Sequence, residues 1–296
     1  MKITDKYIKS PLNYVGGKYK LLPQILPLFP SNINIFVDLF GGGFNVGCNI
    51  NAEKIIYNDI CKQVVELLNN FYQKEFDVIH NQICNIISEY NLSRSDLYGY
   101  EYYNCNSNDG LGTYNKSGYI KLRDDYNSAP NYLKFYTLIT CSFSNQIRFN
   151  SKGEFNMPYG KRDYNKSLQS KLKCFLNVIN QKEIYFRCGS FEDFDFSVLD
   201  NNDFVYCDPP YFSSVATYNE SGGWTEQNEQ TLLNLLDELN NRNIRWALSN
   251  NLKYDNPLLD SWKDKYNIHY LGGDYSNCNY HKKDKSKDIE VLITNY

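Results

Sequence analysis

Two short apolar runs separated by a glycine turn constrain the fold of this chain more than any other feature. Ile35–Leu39 predicts a first strand, Gly41–Gly43 predicts a tight turn, and the residues that follow are compatible with a helix. Lys54–Tyr57 predicts a second strand, which ends at Asn58 and Asp59. Strand, glycine turn, helix and strand in this order are typical of a βαβ unit with parallel strands. We therefore predict an α/β fold built on a parallel sheet.

The rest of the chain predicts more of the same sheet, interrupted by a long segment of different character. Strands are predicted at Ile184–Phe186, Phe204–Tyr206 and Ile244–Leu248, a helix from Thr225, and a pair of strands at Ile268–Leu271 and Ile289–Ile293. Residues 69–181 are rich in Tyr, Asn and Lys and predict only helices, near Phe76–Tyr90 and Tyr132–Phe143. We therefore predict a core of residues 1–68 and 182–296, with 69–181 inserted as a mainly helical subdomain.

The composition excludes several classes of protein. Hydrophobic residues make up 42% of the 296 residues, but no apolar run approaches the roughly 20 residues that span a membrane. The first residues lack the apolar stretch of a signal peptide. The nine cysteines form no CxxC pair and the three histidines are far apart, so we expect reduced thiols in a cytosolic protein and no metal site.

The charge is uneven along the chain, although the net charge is only −3. One basic cluster, in which Tyr, Phe and Asn are interleaved, contains Arg148, Lys152, Lys161, Arg162, Lys166, Lys171 and Lys173. A local basic surface can bind phosphates on a protein that is acidic overall. A second cluster, Lys282–Lys287, predicts either such a surface or an ordinary solvated lysine face.

The tetrapeptide Asp208-Pro209-Pro210-Tyr211 follows the apolar run Phe204–Cys207, which predicts a buried strand. Ligands of α/β proteins bind where strands end, and two prolines give a stiff turn without backbone donors. Asp208 and the Pro209 carbonyl could each accept one N–H of a planar amine, while Tyr211 stacks on the ring that bears it. The alternative is a loop that the prolines merely stiffen.

The glycine turn and Asp59 together predict a nucleoside ligand. Gly41–Gly43 would let a ligand approach the backbone, and Asp59 lies 18 residues after Gly41, at the end of the next strand. A doubly wound fold places an acid there, on ribose hydroxyls. The sequence lacks the GxGxxG motif, which argues against a dinucleotide-binding site, and it lacks GxxxxGK[ST], which excludes a P-loop. A merely tight turn remains the alternative.

Four motifs, taken in order, resemble one enzyme family. They are Leu12–Lys18, Phe36–Gly43, Arg148–Gly160 and Asp208–Tyr211. This order is similar to that of the DNA N6-adenine methyltransferases of the Dam type, D12 class, alpha subgroup, and especially of their bacteriophage branch. The resemblance covers nearly the whole chain. It implies a Rossmann-like methyltransferase core that uses S-adenosyl-L-methionine, with 69–181 as the target-recognition subdomain.

The resemblance also implies roles for individual residues around the cofactor. Asp59 would hold the ribose hydroxyls, and Tyr14 and Lys18 would contact the methionine part. The other residues expected near the cofactor are Asp38, Phe40, Gly41, Gly43, Ser190, Phe191 and Asp208. The substrate would be double-stranded DNA, whose target adenine must be flipped out of the stack. Asp208 and Pro209 would orient the adenine N6, Tyr211 would stack on the base, and methyl transfer would need neither a metal nor a covalent enzyme intermediate.

A further set of residues is expected to contact the DNA. Arg148 is the candidate reader of a guanine, because arginine binds guanine O6 and N7 bidentately, although a phosphate contact is the alternative. Phe143 or Ser144 would fill the gap left by the flipped adenine, while Lys161 and Arg162 would bind phosphates. The resemblance implies a GATC-like site. Asn13 departs from the family pattern, because some members carry at this position a lysine that reads the first guanine of the site.

Other expectations concern the surroundings of this site. Cys207 is predicted to be a small buried residue rather than a nucleophile. The segment Phe212–Trp224, with its two glycines, is predicted to order over the flipped base. We expect a cytoplasmic protein of a bacterial or phage-infected cell, monomeric or weakly dimeric on DNA. The sequence is compatible with a role in restriction, in phage protection or in regulation.

Two alternative functions share part of this sequence pattern. A protein-glutamine or RNA methyltransferase would also clamp an amine, but such enzymes usually begin the tetrapeptide with Asn and lack the recognition insert. A non-catalytic DNA-binding relative would not need both Asp208 and Tyr211, which are intact here. The sequence therefore favours a site-specific adenine methyltransferase.

Overall fold

The structure is a computed structural model that describes residues 6–212, 223–272 and 289–296. Within these residues, one seven-stranded sheet has the strand order β3-β2-β1-β4-β5-β7-β6. The strands are β1 Ile35–Asp38, β2 Lys54–Asp59, β3 Ile184–Cys188, β4 Phe204–Cys207, β5 Arg245–Asn251, β6 Asn267–Leu271 and β7 Glu290–Thr294. Strand β7 is antiparallel to both of its neighbours, whereas the other adjacent pairs are parallel. The predicted α/β fold is confirmed.

Helices in the described residues follow the same order along the chain. They are α1 Leu22–Ile25, α2 Lys62–Phe71, α3 Phe76–Glu89, α4 Ser95–Tyr98, α5 Gly112–Ser128, α6 Tyr132–Cys141, α7 Lys166–Ile179, α8 Glu226–Asn241 and α9 Pro257–Trp262. Thr225 begins α8 as predicted, because it forms a reciprocal capping box with Asn228.

The chain forms two compact units. The first unit consists of Met1–Tyr7, Lys18–Lys62 and Lys182–Tyr296, and the second of Ile8–Gly17 and Gln63–Gln181. The sequence-based boundary stood at residue 69, whereas the second unit begins six residues earlier and includes an N-terminal segment. Helix α2 explains the earlier start, since its last residue, Phe71, packs against Tyr136 of α6 with ring centroids 5.2 Å apart.

The first unit buries its apolar residues in and against the sheet. Strand β4 lies between β1 and β5, and all of its residues are buried, as its apolar sequence predicts. Helix α8 packs against β5 and α9, and Trp246 of β5 stacks on Trp262 of α9 at 5.6 Å. The predicted pairing of the last two strands is confirmed, with Ile268 opposite Ile293.

The connection between β1 and β2 differs from the predicted helix. It contains only a 3₁₀ turn, Gly47–Asn49. Phe44 adopts a positive φ of 61°, which interrupts a helix, and the Gly47 N–H donates to the carboxylate of Asp38 at 3.1 Å. A Cβ at Gly47 would lie 2.1 Å from the Phe44 ring. The segment is therefore shaped around Asp38 rather than wound into a helix.

The second unit is mainly helical, and α6 lies at its centre. Every residue of α6 from Leu133 to Cys141 except Lys134 is buried, and the helix packs against α3 and α5. Helices α5 and α7 had not been predicted. The sequence of α5 contains Gly112, Gly118 and several Asn and Ser residues, which have low helix propensity, so tertiary packing determines this helix.

Candidate active site

Four carboxylates lie along the edge of the sheet where the parallel strands end. Asp38 is the last residue of β1, Asp59 the last of β2, and Asp208 directly follows β4. Glu290 begins the antiparallel strand β7 opposite Asn251, the last residue of β5, and so lies at the same edge. This edge is where α/β folds bind ligands.

Asp208 forms an ion pair with Lys18, whose ammonium lies 2.7 Å from the Oδ1 atom. The lysine side chain is 3% exposed and the aspartate side chain 18% exposed. Burial raises the pKa of Asp208 above its ordinary value, and the positive charge of Lys18 opposes that rise. Lys18 therefore stabilises the ionised carboxylate, which is the form that accepts hydrogen bonds from an amine.

Tyr211 lies between two carboxylates. Its hydroxyl is 3.0 Å from Glu290 Oε2 and 3.4 Å from Asp208 Oδ1, and the Lys18 ammonium lies 5.1 Å from the ring centroid. Pro209 is buried. The structure thus brings together Asp208, Pro209, Tyr211 and Lys18, which the sequence had assigned to catalysis or cofactor binding.

The glycine turn has a packing explanation. A Cβ at Gly41 would lie 2.2 Å from a Tyr57 ring carbon, so that ring alone requires glycine there. Gly42 has a φ of 48°, and its carbonyl accepts from the Tyr57 hydroxyl at 2.8 Å. The Gly42 N–H donates to Asp59 Oδ2 at 2.8 Å, which connects the turn to the end of β2.

Asp59 is held by two backbone donors. Gly42 donates to one oxygen and the Cys61 N–H donates to the other, each at 2.8 Å. Burial raises the pKa of Asp59. Each carboxylate oxygen has a second lone pair, so the fixed carboxylate could accept two hydroxyl groups. This chemistry fits a ribose diol.

Asp38 is the most deeply buried of the predicted cofactor carboxylates, at 2% exposure. Burial raises its pKa to about 8, the Gly47 hydrogen bond opposes the rise, and the negative charges of Asp208 and Asp59 add to it. Such a cluster of acids favours a cation nearby.

An aromatic cluster lies in the same unit. The rings of Phe40 and Phe191, both predicted to bind cofactor, are 5.4 Å apart, and Trp224 lies 5.7 Å from Phe40 and 5.6 Å from Phe191. The Trp224 indole donates to the buried carboxylate of Glu229. Trp224 had been predicted only as the last residue of the segment that orders over the flipped base, and its contacts with Phe40 and Phe191 had not been predicted. Ser190, next to Phe191, is half-buried.

Glu290 had also been missed. Its Oε1 atom accepts from the Asn251 amide at 2.9 Å, and burial raises the pKa of this glutamate. The only sequence signal was an acid inside a predicted strand, Ile289–Ile293. Its position at the same edge of the sheet as Asp208 arises from its antiparallel pairing with Asn251, which the sequence alone did not reveal.

The predicted recognition residues lie in the second unit. Arg148 begins a hairpin, and its Nε donates to the Asn156 side chain at 2.8 Å while Nη2 donates to the Asn156 carbonyl at 3.1 Å. Asn13 donates its amide to the Ser144 carbonyl at 2.7 Å. Ser144 has a left-handed φ of 54°, and the neighbouring Phe143 is 56% exposed. An exposed aromatic side chain on a constrained turn has the form of a wedge.

Two exposed cations of the second unit are tethered to neighbours. Lys161 donates to the Asn108 carbonyl at 2.8 Å, and Arg162 donates to the Tyr100 hydroxyl at 2.7 Å. The next residue, Asp163, is buried and accepts from both Ser93 and Ser95, which anchors this segment. Tyr14, predicted to contact cofactor, also belongs to this unit, whereas Lys18 belongs to the first.

Several features bear on other chemistries. Cys207 is buried, as predicted, and burial raises the pKa of its thiol, which disfavours a nucleophilic thiolate. In the described part of the chain, no three His, Cys, Asp or Glu side chains are grouped as metal ligands.

None of the described helices combines the length and hydrophobicity of a membrane span. Residues 213–222 of the predicted closing segment, and the cluster Lys282–Lys287, lie outside the described residues.

Comparisons with known proteins agree with this arrangement. The chain is similar to the type II methyltransferase M.FokI of Planomicrobium okeanokoites, with 44% identity over 302 residues, and to the modification methylase StsI of Streptococcus sanguinis, with 40% identity over 304 residues. Each match covers 99% of this chain and 44% of the relative, so the chain spans less than half the length of these relatives. The DNA adenine methylase of Escherichia coli (strain K12) is 25% identical over 268 residues, covering 88% of this chain and 86% of the relative.

A family profile settles the classification. The profile of the D12 class N6 adenine-specific DNA methyltransferases matches residues 14–277. This range contains the glycine turn, the second unit except residues 8–13, and the tetrapeptide Asp208–Tyr211. A particular likeness to bacteriophage members stays a prediction. The chain therefore belongs to the D12 class of N6 adenine-specific DNA methyltransferases.

Proposed function

We propose that the chain transfers a methyl group from S-adenosyl-L-methionine to the N6 atom of an adenine in double-stranded DNA. The observation that carries this proposal is the Asp208 carboxylate, paired with Lys18 at 2.7 Å and followed by the Pro209 carbonyl and the Tyr211 ring. These groups together suit a planar aromatic amine. Family membership supplies the class of reaction.

Asp208 and Pro209 prepare the amine in this proposal. The carboxylate and the backbone carbonyl each accept one hydrogen of the N6 amino group, which orients the nitrogen lone pair toward the methyl donor. Lys18 keeps Asp208 ionised, and the Tyr211 ring stacks on the base. The bound cofactor supplies an electrophilic methyl group on a positively charged sulfur.

The remaining carboxylates suit that cofactor. Asp59 holds the ribose hydroxyls with the oxygens that Gly42 and Cys61 fix in place. A cationic ligand at this edge would favour the ionised form of Asp38, whose pKa burial raises to about 8, and would offset the negative charges of Asp208 and Asp59. Phe40 and Phe191, with Gly41, Gly43 and Ser190 close in sequence, form the site for the adenine of the cofactor.

Target recognition belongs to the second unit in this proposal. Arg148 reads a guanine, Phe143 or Ser144 enters the duplex at the flipped adenine, and Lys161 and Arg162 bind phosphates. The two hydrogen bonds that Arg148 donates to Asn156 orient its guanidinium, which supports base readout. We infer a GATC-like site, action as a monomer or weak dimer on DNA, and a place in the cytoplasm where the DNA is accessible.

A transfer assay tests the proposal. The protein is incubated with methyl-labelled cofactor and, separately, with unmethylated duplex DNA, structured RNA and a mixture of proteins. Digestion of the DNA to nucleosides should yield labelled N6-methyl-2′-deoxyadenosine. Labelling of RNA or protein in preference to duplex DNA would contradict the proposed substrate. Cofactor binding without any transfer would instead favour a non-catalytic relative.

A further inference from the structure

The Tyr211 hydroxyl has one hydrogen and two carboxylate neighbours. It can donate to Glu290 Oε2 at 3.0 Å or to Asp208 Oδ1 at 3.4 Å, but not fully to both. The shorter distance favours Glu290, because a hydrogen bond to a carboxylate weakens as the distance between donor and acceptor grows.

The carboxylate of Glu290 is fixed in the position that receives this hydrogen. Its other oxygen accepts from the Asn251 amide at 2.9 Å. Its backbone lies in β7, opposite Asn251 of β5 and Leu271 of β6, so both neighbouring strands hold it. The residue is only 5% exposed. Burial raises the pKa of Glu290, and the positive charge of Lys18 opposes this rise, but the donors that contact the carboxylate directly, Asn251 and Tyr211, are neutral. Burying a carboxylate with neutral donors is unfavourable, so the role of Glu290 must account for this cost.

We propose that Glu290 is a positioning residue that accepts the hydroxyl hydrogen of Tyr211 and thereby keeps Asp208 Oδ1 available to the substrate amine. This inference rests on the proposed function. Asp208 Oδ1 already accepts from the Lys18 ammonium. A second protein donor on the same oxygen would compete directly with the N6 hydrogen of the target base.

Removing Glu290 should therefore harm catalysis through Tyr211. Without its acceptor, the hydroxyl hydrogen turns to Asp208. Glu290→Ala should lower kcat about tenfold, the effect of one competing hydrogen bond on a charged acceptor. Adding Tyr211→Phe to Glu290→Ala removes the competing hydrogen and keeps the stacking ring, so the double variant should be more active than Glu290→Ala alone.

The experiment compares kcat of the wild-type protein, Glu290→Ala, Tyr211→Phe and the double variant on one unmethylated duplex. We expect the double variant to recover to the level of Tyr211→Phe. A double variant no more active than Glu290→Ala would overturn the proposal, and so would full activity of Glu290→Ala. Cofactor affinity, measured by calorimetry, reports whether the site is intact. Should Glu290→Ala fail to bind cofactor, Glu290→Asp, which withdraws the carboxylate by one methylene, undergoes the same comparison.

Glu229 provides a matched control. It is a buried glutamate in the same unit that also accepts from two neutral donors, Trp224 and Asn256. Tyr211→Phe should not restore any activity lost in Glu229→Ala, and restoration there too would mean that the recovery is nonspecific. Wild-type turnover on DNA is measured in the same series, so failure of the proposed function is distinguished from failure of this inference.

Discussion

At the scale of single residues, similar buried carboxylates differ in the groups that contact them. Asp208 has a lysine partner at 2.7 Å, Asp59 has two backbone donors, and Glu290 has only neutral side-chain donors. Burial raises the pKa of all three. The positive charge of Lys18 opposes this rise for both Asp208 and Glu290, but Lys18 also pairs directly with Asp208, which is therefore the carboxylate best suited to remain ionised beside an amine.

Asp208→Ala should lower the methylation rate at least about a hundredfold, because the acceptor for the N6 hydrogen is lost. Cofactor binding should persist in part, since Asp59 and Asp38 remain. Single-turnover kinetics and calorimetry measure the two quantities. Asp264→Ala, which removes an aspartate that is 79% exposed, is the control and should change neither. A residual rate above that limit would remove Asp208 from the chemistry.

Asp38 should make the protein less stable as the pH rises. Its pKa is raised from 3.8 to about 8, so between these values the folded state binds more protons than the unfolded state. The free energy of unfolding therefore falls with rising pH in this window. Asp38→Asn retains an oxygen for the Gly47 N–H but does not titrate. Urea unfolding from about pH 6 to about pH 9 should show wild type losing stability relative to this variant. Parallel curves would contradict the raised pKa.

At the scale of elements, the strand ends were predictable and the helices of the second unit only partly so. Strands such as Phe204–Cys207 are fully buried, so they appear in the sequence as continuous apolar runs. The acidic residues that directly follow these runs indicated the candidate site. Helix α5 leaves no such signal because its glycines and asparagines favour other conformations. Glu290 was missed, and the contacts of Trp224 with Phe40 and Phe191 were not predicted, because these partners are distant in sequence.

Gly118 tests how far packing determines α5. In most helices Gly→Ala stabilises by up to about 1 kcal/mol. A Cβ here would lie 2.0 Å from the Tyr90 carbonyl oxygen, which is backbone and cannot rotate away. Gly118→Ala should therefore destabilise the protein by about 1–3 kcal/mol, as overpacking does. Ser117→Ala, at the preceding exposed position, is the control and should not lower the thermal midpoint. A stabilised Gly118→Ala variant would show that α5 does not pack as described.

The hairpin of Arg148 and the segment of Arg162 should respond differently to loss of their arginines. Arg148→Ala should weaken binding to the preferred DNA site by roughly 1–3 kcal/mol and reduce discrimination at one base pair of that site, because a base contact is lost. Arg162→Ala should weaken binding to all sequences alike, because a phosphate contact is lost. Methylation of a randomised duplex library measures both. An unchanged sequence preference in Arg148→Ala would reduce that residue to a phosphate contact.

At the scale of the whole molecule, the charge is divided between the two units. The second unit has 14 Lys and Arg against 11 Asp and Glu, and the first has 17 against 23. With neutral histidines, these counts give net charges of +3 and −6. The near-neutral total conceals a basic unit suited to a polyanion and an acidic unit suited to a small cation.

This division predicts different salt dependences for the two ligands. DNA affinity should fall steeply with salt, with a slope of about −0.9 for each phosphate contact, because bound counterions are released from the duplex. Affinity for S-adenosylmethionine should change much less, because the carboxylates that would hold it are buried. Titrations at a series of salt concentrations, each ligand alone, decide this. Equal salt sensitivity of the two ligands would contradict the division.

The second unit is assembled from two separate stretches of chain, and this affects how such proteins could exchange specificity. A recombination event that replaced only Gln63–Gln181 would retain the original Ile8–Gly17. It would also retain the original Asn13, whose amide donates to the carbonyl of Ser144. A chimaera would then combine a new recognition hairpin with an old neighbour. Grafts between relatives should therefore succeed most often when both stretches are inherited together.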